Sequence, residues 1–87
     1  MTKKKEKTYN NKYVKSTNTE GLPHSIDDKP AMVVEGQGKF WYKNGNLHRD
    51  NNQPAAEWDD GSLEFWTEGK RIKQLSKEEA VFFHWSS

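Results

Sequence analysis

Two histidines stand 24 residues apart, His24 and His48, each with acids close by: Asp27 and Asp28 after the first, Asp50 after the second. Imidazole and carboxylate are both zinc ligands, but a tetrahedral site needs further donors, and two equivalent histidines converge only where their segments stack closely. Hydrogen bonds to backbone or to a turn carboxylate account for them more simply. No metal and no cofactor is expected. Three acid pairs, Asp27-Asp28, Asp59-Asp60 and Glu78-Glu79, have the composition that glycoside hydrolysis asks of one acid and one base. Each has an ordinary role instead: a polar linker, a hairpin turn, a helix first turn. Serine, histidine and aspartate occur without a nucleophile elbow. No catalytic residue is assigned, and the chain reads as a non-enzyme.

A different chemistry lies in the first fifteen residues, where Lys3, Lys4, Lys5, Lys7, Lys12 and Lys15 face a single acid, Glu6, giving about +5. Such a cluster attracts phosphates, so Lys3, Lys4, Lys5 and Lys7 are the candidate nucleic-acid contacts in an alternative reading. Against it, residues 16–69 carry four bases and ten acids, and like charge there repels a phosphate backbone. Residues 1–18 have few apolar anchors and predict a flexible tail; residues 19–87 predict one domain. There is no cysteine, which excludes disulfides and thiolate metal sites and fits a reducing, cytoplasmic setting. No apolar run approaches a membrane span, and no membrane partner is expected.

The elements that position these residues follow from a period of 24. Gly21, Gly45 and Gly69 are evenly spaced, His24 returns as His48, and Pro30-Ala31 returns as Pro54-Ala55; Trp41-Tyr42 answers to Phe65-Trp66. Each copy predicts a hairpin: Ala31 to Glu35 against Lys39 to Lys43, then Ala55 to Asp59 against Ser62 to Thr67, with turns at Gly36-Gln37-Gly38 and Asp60-Gly61. Asn46 to Arg49 and Lys70 to Lys73 add brief extended pairings, for about four to six strands in all. Tyr13-Val14 fits a remnant of a preceding copy's aromatic strand. Ser76 and Glu79 form a capping box, which starts a short helix whose stripe of Val81, Phe82 and Trp85 is expected to dock on the sheet, with Phe83 off the stripe. The expected class is mainly β (α+β): an antiparallel meander of two hairpin repeats of about 24 residues forming a curved sheet, with one C-terminal helix packed on it.

The segments Leu47 to Ala55 and Trp41 to Gly45 resemble the unit His-Arg-Glu-Asp-Gly-Pro-Ala, strand, Asp-Gly, strand, Trp-Tyr-x-Asn-Gly of small phage and bacterial proteins grouped loosely with MORN-type repeats. Gly69-Lys70 and Ser76 to Phe82 resemble the closing segment of such proteins. The resemblance covers about residues 21–85 and implies scaffolding, partner-binding or antitoxin-like roles, here a phage-borne factor that inhibits or redirects a host protein. The first copy departs from the unit at Ser25 and Ile26.

Repeat register sorts the rings by face. Trp41 and Phe65 share a slot that is apolar in both copies and so are assigned to the core with Met32, Val34, Trp58 and Leu63. Phe40, Tyr42 and Trp66 fall on the second face, where Glu64 also points. With Phe83 they are the candidate contacts for a host or phage protein if the helix covers the first face; the alternative is that the helix covers the second.

Overall fold

The computed structural model describes residues 12–86. Among the described residues seven strands precede one helix: β1 (Met32–Val34), β2 (Gly38–Phe40), β3 (Tyr42–Lys43), β4 (Asn46–Leu47), β5 (Ala56–Trp58), β6 (Leu63–Thr67), β7 (Lys70–Leu75) and α1 (Lys77–Ser86). Five strands form one sheet in the order β1-β2-β5-β6-β7, while β3 and β4 form a separate ribbon. Every pairing is antiparallel. The expected class, mainly antiparallel β with one C-terminal helix, is the class found.

The period of 24 is physical as well as textual. Met32 pairs with Phe40 across the first hairpin and Ala56 with Glu64 across the second, each partner one period on. Ala31 and Ala55, both fully buried, donate their N–H groups to Phe40 and Glu64 at 2.9 and 2.8 Å. Asn44 and Glu68 both take positive φ, 50° and 49°, immediately before a glycine that also does so. Left-handed backbone strains a residue with a side chain, so the same strain recurring one period later marks a turn built twice. At Gly38 the requirement is different: a Cβ there would meet Trp58 Cα at 3.0 Å, so only glycine lets β2 lie against β5.

Where the copies differ, the chain's exit differs. Tyr42 pairs with Leu47 in the ribbon as Trp66 pairs with Arg71 in the main sheet. After β4 the chain leaves into the loop that carries Arg49 to Gln53; after the equivalent point β7 keeps pairing as far as Leu75, with an irregularity in register beside Phe65 and Trp66 that leaves Ile72 without a partner residue on β6.

Two expectations are corrected at the ends. Tyr13 to Thr17, assigned to the tail, are bound to the body: Val14 bridges Met32, Thr17 bridges Pro23, and Lys15 donates to the Ala31 carbonyl at 2.7 Å. Met32 is the counterpart of Ala56 one period on, and Ala56 pairs with Phe40, so the Val14 segment edges the first copy as β2 edges the second, but two residues out of strict repeat register. The tail residues before Lys12 lie outside the described residues.

The helix is the second correction. Both bonds of its capping box form, Ser76 N–H to Glu79 Oε1 at 2.8 Å and Glu79 N–H to Ser76 Oγ at 3.2 Å. The face it docks is the opposite of the one expected. Ala80 is buried with Leu63 and Phe65, and Phe83 packs on that cluster with Leu75; Val81, Phe82 and Trp85 are 60%, 66% and 83% exposed. Helix rotation is fixed by its start, because only Ser76 separates β7 from α1 and Gly61 admits Lys77 closely enough that a Cβ on Gly61 would lie 3.3 Å from Lys77 Cβ. Three residues into the helix, small Ala80 faces the sheet, and Phe83 follows one turn later on the same side.

Candidate partner-binding surface

The two histidines tie consecutive copies together. His24 Nδ1 accepts the N–H of Asn44 at 3.0 Å, and His48 Nδ1 accepts the N–H of Glu68 at 3.0 Å. In both cases the imidazole holds the strained residue of the next turn, whose glycine donates to the carbonyl of the residue just before that histidine, Gly45 to Pro23 and Gly69 to Leu47. Because Nδ1 of His48 accepts, its proton sits on Nε2, which donates to Asp50 Oδ1 at 2.7 Å. Among the described residues, no group of three or more histidines and carboxylates gathers where it could hold a metal ion.

One carboxylate of each acid pair is likewise occupied. Asp60 Oδ1 accepts both the N–H and the hydroxyl of Ser62, which holds its carboxyl below the usual carboxylate range. Glu79 caps the helix. Asp28 receives the fork of Arg49, Nε to Oδ1 at 3.0 Å and Nη2 to Oδ2 at 3.1 Å, and the hydrogen bond from that guanidinium, against the opposing effect of burial and with the help of its charge, holds it below its ordinary value.

Arg49 is the most connected side chain of the molecule's central loop, and composition gave no sign of it. Its guanidinium carbon lies 3.8 Å from the centre of the Trp41 ring, and Nη1 donates to the Pro54 carbonyl at 3.1 Å and Glu57 Oε2 at 3.2 Å. Trp41 donates its indole N–H to the Asp28 carbonyl at 2.9 Å. Ring, cation and acid therefore close a loop between the first linker and the second. The signal available in the sequence was the spacing itself: Asp28, Trp41 and Arg49 occupy slots whose counterparts one period on are Asn52, Phe65 and Lys73.

Of the four residues expected to meet a partner, Phe40 is misplaced. It is buried, 8% exposed, with its ring edge-on to Trp58 at 5.1 Å. Strict alternation failed there because the chain crosses from the main sheet to the ribbon at Trp41, so Phe40 and Trp41 are consecutive and both buried. Phe83 is corrected in part: half-buried, it meets Phe65 edge-on at 5.3 Å and also lines a surface groove. Tyr42 and Trp66 are half-buried and line grooves. Glu64 does not stand open beside them, since its carboxylate accepts the Trp66 indole N–H at 2.9 Å. Of the expected core, Trp41, Leu63 and Phe65 are buried, while Met32, Val34 and Trp58 are only half so; β1 is near the sheet edge and the helix covers the far end. Lys3, Lys4, Lys5 and Lys7 lie outside the described residues.

Two concavities run along the copies. The first, about 300 Å³, lies between His24, Asp28, Trp41, Tyr42, His48 and Arg49. The second, about 490 Å³, is lined by Trp66, Phe83, Ile72 and Lys73 with the amides of Asn52 and Gln53. Beside it α1 turns Val81, Phe82 and Trp85 outward, and Ile72 on β7 is 67% exposed. None of these four was placed on the surface by sequence reading. Among the described residues no helix is long and apolar enough to cross a membrane. Compared with known proteins, the chain matches no family model, no curated protein and no solved structure.

Proposed function

We propose that the chain is a non-enzymatic module that binds another protein through the outward face of α1 and the adjoining groove. The observation that carries this reading is the exposure of Val81, Phe82 and Trp85 on one helix face, with Ile72 exposed on the strand before it. A domain this small has few large apolar side chains to spend, and exposing an aromatic cluster of this kind is the mark of an interaction surface. Half-buried Trp66 and Phe83 in the groove extend that surface with rings held in place from below. The resemblance to phage repeat proteins adds that the partner is a host component whose activity the module blocks or redirects.

The test is affinity capture from a bacterial host lysate, with nuclease present, by the parent protein and by Phe82→Ala and Trp85→Ala. Both substitutions remove exposed atoms and should leave the unfolding midpoint within about 0.5 kcal/mol of the parent, while a specific partner is lost. A partner retained by both variants removes the helix face from the interface.

A further inference from the structure

The two grooves occupy equivalent places one period apart, and the acid that completes the first is absent from the second. Moving 24 residues along the chain carries His24, Asp28, Trp41, Tyr42, His48 and Arg49, which line the first groove, onto His48, Asn52, Phe65, Trp66, Ile72 and Lys73, which all line the second. The cation sits over the ring in both: Arg49 over Trp41 at 3.8 Å, Lys73 over Phe65 with Nζ 5.6 Å from the ring centre. In the first groove that cation is completed by an acid, Asp28, at 3.0 Å.

In the second groove the acid is missing from its slot. Asn52 stands where Asp28 stands one period earlier, with the same left-handed backbone, φ 57° against 59°. The other acid on Arg49, Glu57, has as its counterpart Val81, which faces solvent. Among the described residues Lys73 makes no ion pair within 4.0 Å. The one acid lining the second groove, Asp50, is held by His48. The groove is also the larger of the two; Lys70 and Arg71 precede it on β7, Arg71 with its guanidinium 3.9 Å from Glu64.

We infer that the second groove binds the carboxylate of an aspartate or glutamate in a partner's extended segment, seated between Lys73 and Asn52 in the place that Asp28 takes in the first groove. An apolar neighbour of that acid lies on Trp66 and Ile72. The first groove is thus an internal copy of the complex: a cation raised over an aromatic ring holds a carboxylate in both, supplied by the chain itself in one and by the partner in the other. The inference rests on the protein-binding reading and names the chemistry of the partner.

The experiment uses the whole ¹⁵N-labelled protein and a capped hexapeptide with a central aspartate between leucine and phenylalanine, beside the same peptide with asparagine at that position. Binding is read from the Trp66 indole and Lys73 backbone resonances. The aspartate peptide should bind at least tenfold more tightly, and Lys73→Gln should abolish the difference. Asn52→Asp places the acid in cis; it should raise the melting temperature, lose that gain when combined with Lys73→Gln, and weaken the aspartate peptide at least tenfold. Equal binding of the two peptides at Trp66 overturns the carboxylate site and leaves the protein-binding reading standing. No shift at Trp66 with either peptide, or an Asn52→Asp variant that binds as the parent does, also overturns it. Loss of the protein-binding reading is read separately, by the lysate partner that survives Phe82→Ala and Trp85→Ala.

Discussion

Removing the Arg49 side chain opens the loop that joins the two copies, and its cost can be built from the contacts. The guanidinium is 12% exposed, so its ring contact with Trp41 is largely shielded and is worth about 1–2 kcal/mol. The fork on Asp28 is worth less than its geometry suggests, because that carboxylate is 63% exposed and water replaces the lost partner, about 0–1 kcal/mol. Glu57 is 33% exposed and falls in the same range or slightly above it. The Pro54 carbonyl, in a residue with almost no exposed surface, loses an N–H donor at about 1 kcal/mol or more. Arg49→Ala should therefore cost about 3 kcal/mol, a large share of the stability of so small a domain. Lysine at this position keeps charge and part of the ring contact but loses the fork, and should cost about half as much. Urea unfolding followed by tryptophan fluorescence measures both. A double-mutant cycle apportions the effect: coupling of Arg49 to Trp41 should exceed its coupling to Asp28, and only the latter should fall in 1 M salt. An Arg49→Ala cost under about 1 kcal/mol, or a cycle dominated by Asp28, would refute the ranking of burial over charge.

Three further outcomes follow. Asp28 is held below its ordinary value by Arg49 when folded, so the stability it contributes is present above its unfolded pKa and lost as pH falls through the lower, folded one; Asp28→Asn should lower stability by a constant amount at neutral-to-basic pH, flatten that part of the acid side of a stability-versus-pH curve, and converge with the parent at low pH. Ser76→Ala removes the acceptor for the Glu79 N–H and should cost about 1 kcal/mol in denaturant unfolding, with an unchanged midpoint counting against the cap. Phe40→Ala leaves a cavity against Trp58 and should cost about 3–5 kcal/mol without touching a partner's affinity once folding is restored by a stabilising osmolyte, whereas a folded Phe40→Ala variant that fails to capture the partner would return Phe40 to the interface.

What could be read from the residues depended on whether the deciding interaction was local in sequence. The capping box lies within four residues and both its bonds are present; the hairpins follow from Pro30-Ala31 and Pro54-Ala55 with their glycine turns, and the main sheet is built from them. The strand count fell short because β3 and β4 are two residues each and separate from the main sheet only where the chain bends at Trp41. That bend also inverted Phe40, since alternation holds along one pleat and not across a change of sheet. The helix face was inverted for a related reason. Its apolar residues do form a stripe, but hydrophobicity names the stripe without saying which side the preceding strand turns inward, and the exit of β7 through Ser76 gives that side to Ala80 and Phe83. The same limit hid the clamp: Asp28 and Arg49 are 21 residues apart, and nothing short of repeat register joins them. Read that way, the period does more than repeat a hairpin. It compares each position with its own counterpart in a second environment, and the substitution of Asn52 for Asp28 beneath a retained cation leaves the second groove without the acid that fills the first.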